Sequence, residues 1–154
     1  MLAAGNRAPD FMAPNQNDEP VALAELLQNG PLLLYFYPAD FTPGCTREAC
    51  SLRDLHGQLL AAQVTVAGVS PQSAQSHAQF AAKYALPFTL LCDPQKVLAR
   101  AYGVVGPLGF GVRRASFLIS TAGIIEDTVQ ADLRIGRHEE FFRRIASAGH
   151  VAQP

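Results

Sequence analysis

The chain has 154 residues, 49% of them hydrophobic and 16% charged, which suits one sizeable core, so residues 1–154 are read as one domain. A net charge of -1 with no basic run leaves no electrostatic footprint for nucleic acid or an anionic membrane, and no apolar run approaches the roughly 18 residues of a spanning helix. Three cysteines are too few for a secreted disulfide scaffold, and Met1 to Asp10 shows no basic stretch followed by an apolar core; a soluble cytoplasmic protein with thiol chemistry is expected.

Residues 10 to 22 mix Pro, Asn and Asp with short apolar pieces, predicting a small hairpin over one end of a sheet, and Val21 to Leu27 reads as a short helix. Leu32 to Phe36 is a continuous apolar run, the pattern of a central strand buried on both faces. Pro38, Pro43 and Gly44 then mark a loop. Leu52, Leu55 and Leu59 recur at helical spacing, so a helix runs from about Pro43 to Ala61, and proline suits its first turn because it has no N–H to leave unpaired.

Val64 to Val69 is a β-rich run, and Ser73 to Tyr84 places His77, Phe80, Ala81 and Tyr84 on one helical face. Phe88 to Leu91 reads as a strand and Val97 to Tyr102 as one or two helical turns, followed by a glycine-rich apolar loop from Gly103 to Gly111. Arg114 to Ile119 and Ile124 to Gln130 form a hairpin through Ser120 to Gly123, read as antiparallel edge strands. Arg137 to Ala148 is a helix with Phe141, Phe142 and Ile145 inward and with Glu139–Arg143 and Glu140–Arg144 as outward pairs, and the tail, 149–154, is expected to fray. Strand and helix alternate. That order predicts an α/β fold built on βαβ crossovers, a mixed sheet covered by helices.

The stretch from Tyr37 to Cys50 carries the chemistry. Cys45 falls in the first turn of the Pro43 helix, where free N–H groups and the positive end of the helix dipole favour an anion, so a larger thiolate fraction is expected. Two cysteines on one helix also occur as inert core residues, and spacing alone leaves that reading open.

At these residues the chain resembles the peroxiredoxins, whose pattern Pro-x-x-x-Thr-x-x-Cys is met by Pro38, Thr42 and Cys45. Cys50, five positions on, with Leu52-Arg53-Asp54 beyond it, resembles the branch called peroxiredoxin Q or bacterioferritin comigratory protein. The resemblance runs from Gly5-Asn6-Arg7-Ala8-Pro9-Asp10-Phe11 to the last helix and implies a thioredoxin fold with an N-terminal hairpin extension. It implies a peroxidase that reduces hydrogen peroxide and organic hydroperoxides through the Cys45 thiolate, a sulfenic acid and a Cys45–Cys50 disulfide. Thioredoxin is the implied reductant, with no metal, flavin or haem, and the chain is read as a monomer. The alternative is a redox-sensing or holdase protein that uses the same disulfide as a switch.

The resemblance also implies roles for single residues. The Thr42 hydroxyl contacts thiolate and peroxide, Arg114 holds both, and Pro38 shields the sulfenic acid from water. Arg114 is preferred to Arg113 by register, because the family's arginine immediately precedes a strand. Glu48, one turn after Cys45, is read as the orienter of Arg114, with a plain surface acid as the alternative. Residues five apart on an ideal helix have α-carbons about 8.6 Å apart, beyond the roughly 7 Å a disulfide spans, so the helix start must unwind for Cys45 and Cys50 to join.

Cys92 stands where the family usually has serine and is read as a small buried residue. His56 lies about 16 Å along an ideal helix from Cys45 and cannot serve it as a base while that helix is intact. The sequence reveals no partner for His77, His138 or His150. Phe41 and the loop Leu108-Gly109-Phe110 are candidates for an apolar mouth that accepts organic hydroperoxides; simple packing is the competing reading.

Overall fold

The structure, a computed structural model, describes the backbone of residues 1–151 and side chains to residue 148; the tail expected to fray, 149–154, therefore lies outside the fully described residues. Strand β1 (Met12–Pro14) pairs antiparallel with β2 (Pro20–Ala22). The turn between them is closed by Asn15, whose Oδ1 accepts from the backbone N–H groups of Asn17 and Glu19 at 2.9 and 3.0 Å. Helix α1 (Leu23–Leu26) follows directly.

Strand β3 (Leu32–Phe36) is the centre of a five-stranded sheet. It runs parallel to β4 (Thr65–Ser70), which is parallel to β5 (Thr89–Cys92), and antiparallel to β6 (Ala115–Ile119), which pairs with β7 (Ile125–Gln130). All five residues of β3 are buried, and their alternation feeds two cores. Leu32, Leu34 and Phe36 pack with Leu23, Leu26, Tyr102 and Phe117; Leu33 and Tyr35 pack on the other face with Leu52, Phe80, Phe141 and Phe142.

The second face is covered by α2 (Pro43–Ala61), α3 (Ala74–Tyr84) and α5 (Ile135–Val151), and the first by α1 and α4 (Val97–Ala101). Tyr35 lies across Gly68, its partner on β4, where an added Cβ would sit 2.9 Å from the phenol oxygen. That neighbour has to be glycine. Among the described residues no helix is long and apolar enough to cross a membrane.

Two expectations need correction. Of the C-terminal hairpin only β7 is an edge strand, because β6, with four of its five residues buried, sits between β3 and β7. The outward pairs expected along α5 are also replaced by longer-range ones: Glu139 takes Arg47 of α2 at 2.6 Å, and Arg144 lies 3.6 Å from Asp127 of β7. Both helix–helix and helix–sheet docking outcompete a local pair that contributes only about 0.2–0.5 kcal/mol.

Candidate active site

The loop that leaves β3 is tied down before it reaches the thiol. Tyr37, one residue past β3, continues the sheet by donating its N–H to Val69 O at 3.0 Å. Its hydroxyl donates to Asp40 Oδ1 at 2.7 Å, while Asp40 Oδ2 accepts from Ser76 Oγ at 2.7 Å and meets His77 Nδ1 at 2.8 Å. His77 Nε2 reaches Leu91 O at 2.9 Å. Burial pushes the Asp40 carboxyl up, but the His77, Tyr37 and Ser76 hydrogen bonds and the His77 charge together hold it below its ordinary value.

Phe41 follows with φ of +67°, a left-handed conformation that side chains other than glycine enter at a cost. Its ring packs edge-on against Phe80 with centroids 5.1 Å apart, with Lys83 Nζ 5.8 Å above it. Thr42 is the extended N-cap of α2, and Pro43 begins the helix where an N–H would be unpaired. Cys45, 1% exposed, lies one residue beyond Gly44 in the first helical turn.

Antiparallel pairing of Phe36 with Ala115 sets Arg114 beside the start of this loop. Its Nη2 donates to Cys45 Sγ at 3.3 Å, and its Nη1 donates to Glu48 Oε1 at 2.8 Å. The arginine is held from behind by Asp132, which accepts from its backbone N–H through Oδ1 at 2.9 Å and from Nε through the carbonyl at 3.4 Å. An added Cβ on Gly44 would stand 3.1 Å from Nη2, so the helix start approaches the guanidinium closely. Burial would lower the Arg114 pKa, but the adjacent Glu48 and Cys45 raise it, and the group stays charged. Arg113 meets Asp132 Oδ2 at 3.4 Å and not the thiol.

Glu48 is fully buried, which removes the surface-acid reading. Loss of solvent pushes its carboxyl up to about 7 even though Arg114 opposes that shift, so desolvation outweighs the ion pair. Behind it lies His138 of α5, also fully buried, with Nδ1 3.5 Å from Glu48 Oε2 and 3.0 Å from Ser116 Oγ, and with Nε2 3.0 Å from Ala131 O. Burial drives the His138 pKa down to about 4, helped by Arg114 and Arg137.

An open groove of about 610 Å³ is lined by Arg114, Pro38, Thr42, Gly44, Phe110 and Leu133 among others. Pro38 is exposed on its rim, and the Thr42 hydroxyl donates to Ala39 O at 3.1 Å. Phe41 does not line this groove; its ring is turned to α3, so packing is the correct reading for it. Phe110 does line it, 75% exposed, and Leu133, 94% exposed, joins it. Leu133 sits alone between Asp132 and Arg134 with no periodicity to single it out.

Cys45, Cys50 and Cys92 are all free thiols. Cys50 is half-buried on the same unbroken helix as Cys45. Cys92 is buried, its Sγ 3.7 Å from Asn15 O, and desolvation raises its pKa to about 11, which keeps it a thiol. His56 stays remote from the site, its ring beside Phe88. His77 and His138 are two of the three histidines that sequence reasoning left without partners; the third, His150, lies outside the described side chains. Both stand at i, i+3 from a buried phenylalanine, Phe80 and Phe141, and that spacing marks them as inward-facing. Among the described residues no group of His, Cys, Asp and Glu is arranged to hold a metal ion.

A mixed sheet carrying a cysteine on the first turn of a covering helix, with an arginine on its sulfur, defines a thioredoxin-fold thiol enzyme. The sequence profile of the AhpC/TSA family matches residues 4–128. A putative peroxiredoxin bcp of Coxiella burnetii is 42% identical over 130 residues, 80% of this chain and 85% of that protein. The crystal structure of peroxidoxin BcpB from Mycobacterium tuberculosis has a TM-score of 0.89 at 33% identity, covering 96% of this chain and 98% of that one. The bacterioferritin comigratory protein of Xanthomonas campestris, studied for alkyl peroxide reduction through trapped intermediate and ligand complexes, has a TM-score of 0.81 at 26% identity, covering 90% of this chain and 92% of that one. The chain belongs to the AhpC/TSA family, in its peroxiredoxin bcp and Q branch. It is a thiol-dependent peroxidase, an oxidoreductase that acts on peroxides with a thiol reductant.

Proposed function

We propose that Cys45 is the peroxidatic thiol, Cys50 the resolving thiol, and Arg114, Thr42, Pro38 and Glu48 the residues that support them. The Cys45 thiolate attacks one peroxide oxygen; an S–O bond forms, the O–O bond breaks, and the other oxygen leaves as hydroxide or alkoxide and takes a proton. Arg114 stabilises the thiolate and then the charge that grows on the leaving oxygen. Thr42 offers its oxygen to the same region, and Pro38 covers the sulfenic acid that results.

Cys50, as thiolate, then displaces hydroxide from the Cys45 sulfenic acid to give a disulfide and, after protonation, water. That step requires the start of α2 to unwind, since five residues of helix hold the α-carbons about 8.6 Å apart. A dithiol such as thioredoxin returns both cysteines to thiols by exchange. The exposed apolar side chains of Phe110 and Leu133 support organic hydroperoxides as substrates beside hydrogen peroxide. The alkyl peroxide reduction described for the Xanthomonas protein supports the same choice. The working form is a cytoplasmic monomer.

The observation that carries this reading is the donor contact from Arg114 Nη2 to Cys45 Sγ at 3.3 Å, with Arg114 itself lining an open groove. A steady-state assay with hydrogen peroxide or cumene hydroperoxide and a thioredoxin system tests it. Many turnovers per protein are expected, and Cys45→Ser should abolish them. Oxidation that stops after one equivalent in the presence of every dithiol offered would favour a redox switch instead.

A further inference from the structure

One buried residue behind the thiol, His138 beside Glu48, is left unused by the mechanism above. His138 Nε2 faces the carbonyl oxygen of Ala131 at 3.0 Å, and a carbonyl only accepts, so this nitrogen carries a hydrogen. The other ring nitrogen, Nδ1, stands between Ser116 Oγ at 3.0 Å and Glu48 Oε2 at 3.5 Å. Glu48 Oε2 is out of contact with solvent and has no hydrogen-bond partner among the described residues. A bare carboxylate oxygen in that position is costly, and a proton between it and Nδ1 removes the cost. The Ser116 hydroxyl can rotate to donate to the ring or to accept from it, so the ring can serve the carboxyl in either protonation state.

We propose that His138 is a positioning residue of the peroxidatic site: Glu48 and His138 together hold one proton between Oε2 and Nδ1, so the pair is neutral overall and the charge of Arg114 is left to Cys45 and the peroxide. The proton sits on the carboxyl or on the ring, and the two forms titrate as one pair. Without it, the guanidinium faces two anions, Cys45 Sγ at 3.3 Å and Glu48 Oε1 at 2.8 Å, and the second competes for the charge the first needs. The upward displacement of the Glu48 carboxyl and the downward displacement of the His138 ring both favour this arrangement at neutral pH.

The groups that face the pair are few. Arg114 reaches it from the start of β6, Cys45 shares α2 with Glu48, Tyr35 reaches it from β3, Glu139 and Arg137 flank it on α5, and Asp132 lies behind Arg114. Tyr35 has its own pKa raised by burial first and by Glu48 and Cys45 next, so it stays neutral. Loss of the shared proton is therefore the titration that changes the charge Arg114 meets on its Glu48 side.

The inference rests on Cys45 being the peroxidatic thiol. Its test is the second-order rate of Cys45 oxidation by hydrogen peroxide as a function of pH in the full-length wild type, Glu48→Gln and His138→Phe, with the ¹⁵N resonances of the His138 ring followed in the reduced wild type. Taken per Cys45 thiolate, the wild-type rate should fall roughly tenfold as the pair loses its proton, with the His138 Nδ1 resonance moving at the same midpoint. Glu48→Gln, which cannot ionise, should lose the falling limb, and His138→Phe should displace its midpoint by about one pH unit or more. A rate that shows no falling limb, a limb that persists unmoved in either variant, or a His138 resonance that stays flat through it would overturn the proposal. Should a variant fail to fold, the coincidence of the two wild-type midpoints still decides. Failure of the underlying reading looks different: peroxide would then still oxidise the Cys45→Ser protein at the wild-type rate.

Discussion

Asp40 Oδ2 lies 2.8 Å from His77 Nδ1, with neither side chain reaching solvent, and through this contact the loop that carries the thiol is fastened to α3. The same carboxylate accepts from Tyr37 and Ser76, so one side chain joins the end of β3, the loop and the helix. Removing its charge leaves the His77 Nδ1–H and the Tyr37 and Ser76 hydroxyls, all aimed at the carboxylate, with one amide oxygen to share. Asp40→Asn is expected to destabilise the fold by about 3 to 5 kcal/mol, the cost of breaking a buried pair from one side. It should also speed hydrogen exchange at the start of α2. Urea unfolding together with exchange checks both; stability within about 1 kcal/mol of wild type would mean that the contact is not a tether.

The Glu48 carboxyl supplies a pH dependence with a definite sign. Its pKa is about 7 in the folded protein, raised from the model-peptide value of 4.5, so the folded state binds the proton more tightly than the unfolded chain. Its contribution is fully present below pH 4.5 and is lost as pH rises through 7. Wild-type stability should therefore fall by up to about 3 kcal/mol across that window relative to Glu48→Gln. Denaturation series of the two proteins at several pH values would show it, and parallel curves would count against a protonated carboxyl.

Arg114 and Arg113 are neighbours with opposite duties. Arg114→Lys keeps a positive charge but loses the two-pronged guanidinium that bridges Cys45 and Glu48, and should lose about 2 to 4 kcal/mol of transition-state stabilisation, roughly 30-fold to 1000-fold in rate. Arg113, half-buried and paired with Asp132 at 3.4 Å, should tolerate lysine with little change. Single-turnover oxidation of Cys45 compares them directly. The reverse ranking would mean that the residue contacting the thiol in solution is the other arginine.

Substrate preference should follow the groove's apolar rim. Phe110→Ser with Leu133→Ser is expected to lower the rate ratio of cumene hydroperoxide to hydrogen peroxide several-fold, about 1 to 2 kcal/mol of lost apolar contact. Phe41→Asn should leave that ratio unchanged, because the Phe41 ring packs on Phe80 and Tyr84 outside the groove. A ratio that responds to Phe41 and ignores Phe110 would reverse this assignment.

Much of this site was legible because its signals are local. The apolar run Leu32 to Phe36, proline at the first turn of α2 and the leucine spacing beyond it place Cys45 at a helix start from sequence alone. Arg114 was reachable through the family resemblance, in which the arginine immediately precedes a strand, and that register chose it over Arg113. What stayed hidden depends on contacts between distant residues. Asp40 and His77 are buried against each other although 37 positions separate them, and nothing in either segment's periodicity names the partner. Glu48 carries the composition signal of a surface residue, and only the guanidinium and imidazole brought by β6 and α5 make its burial tolerable. The missed pairings of Glu139 and Arg144 have the same cause, since docking chose partners across elements over those along the helix.

The central claim is that Cys45 reacts with peroxide and Cys50 resolves it. Peptide mapping by mass spectrometry of protein treated with one equivalent of hydrogen peroxide tests this most directly. The account predicts a Cys45–Cys50 disulfide in the wild type, a Cys45 sulfenic acid trapped by dimedone in Cys50→Ser, and Cys92 unmodified in both. A Cys45–Cys92 linkage in place of Cys45–Cys50, or a sulfenic acid on Cys50 with Cys45 still reduced, would contradict it.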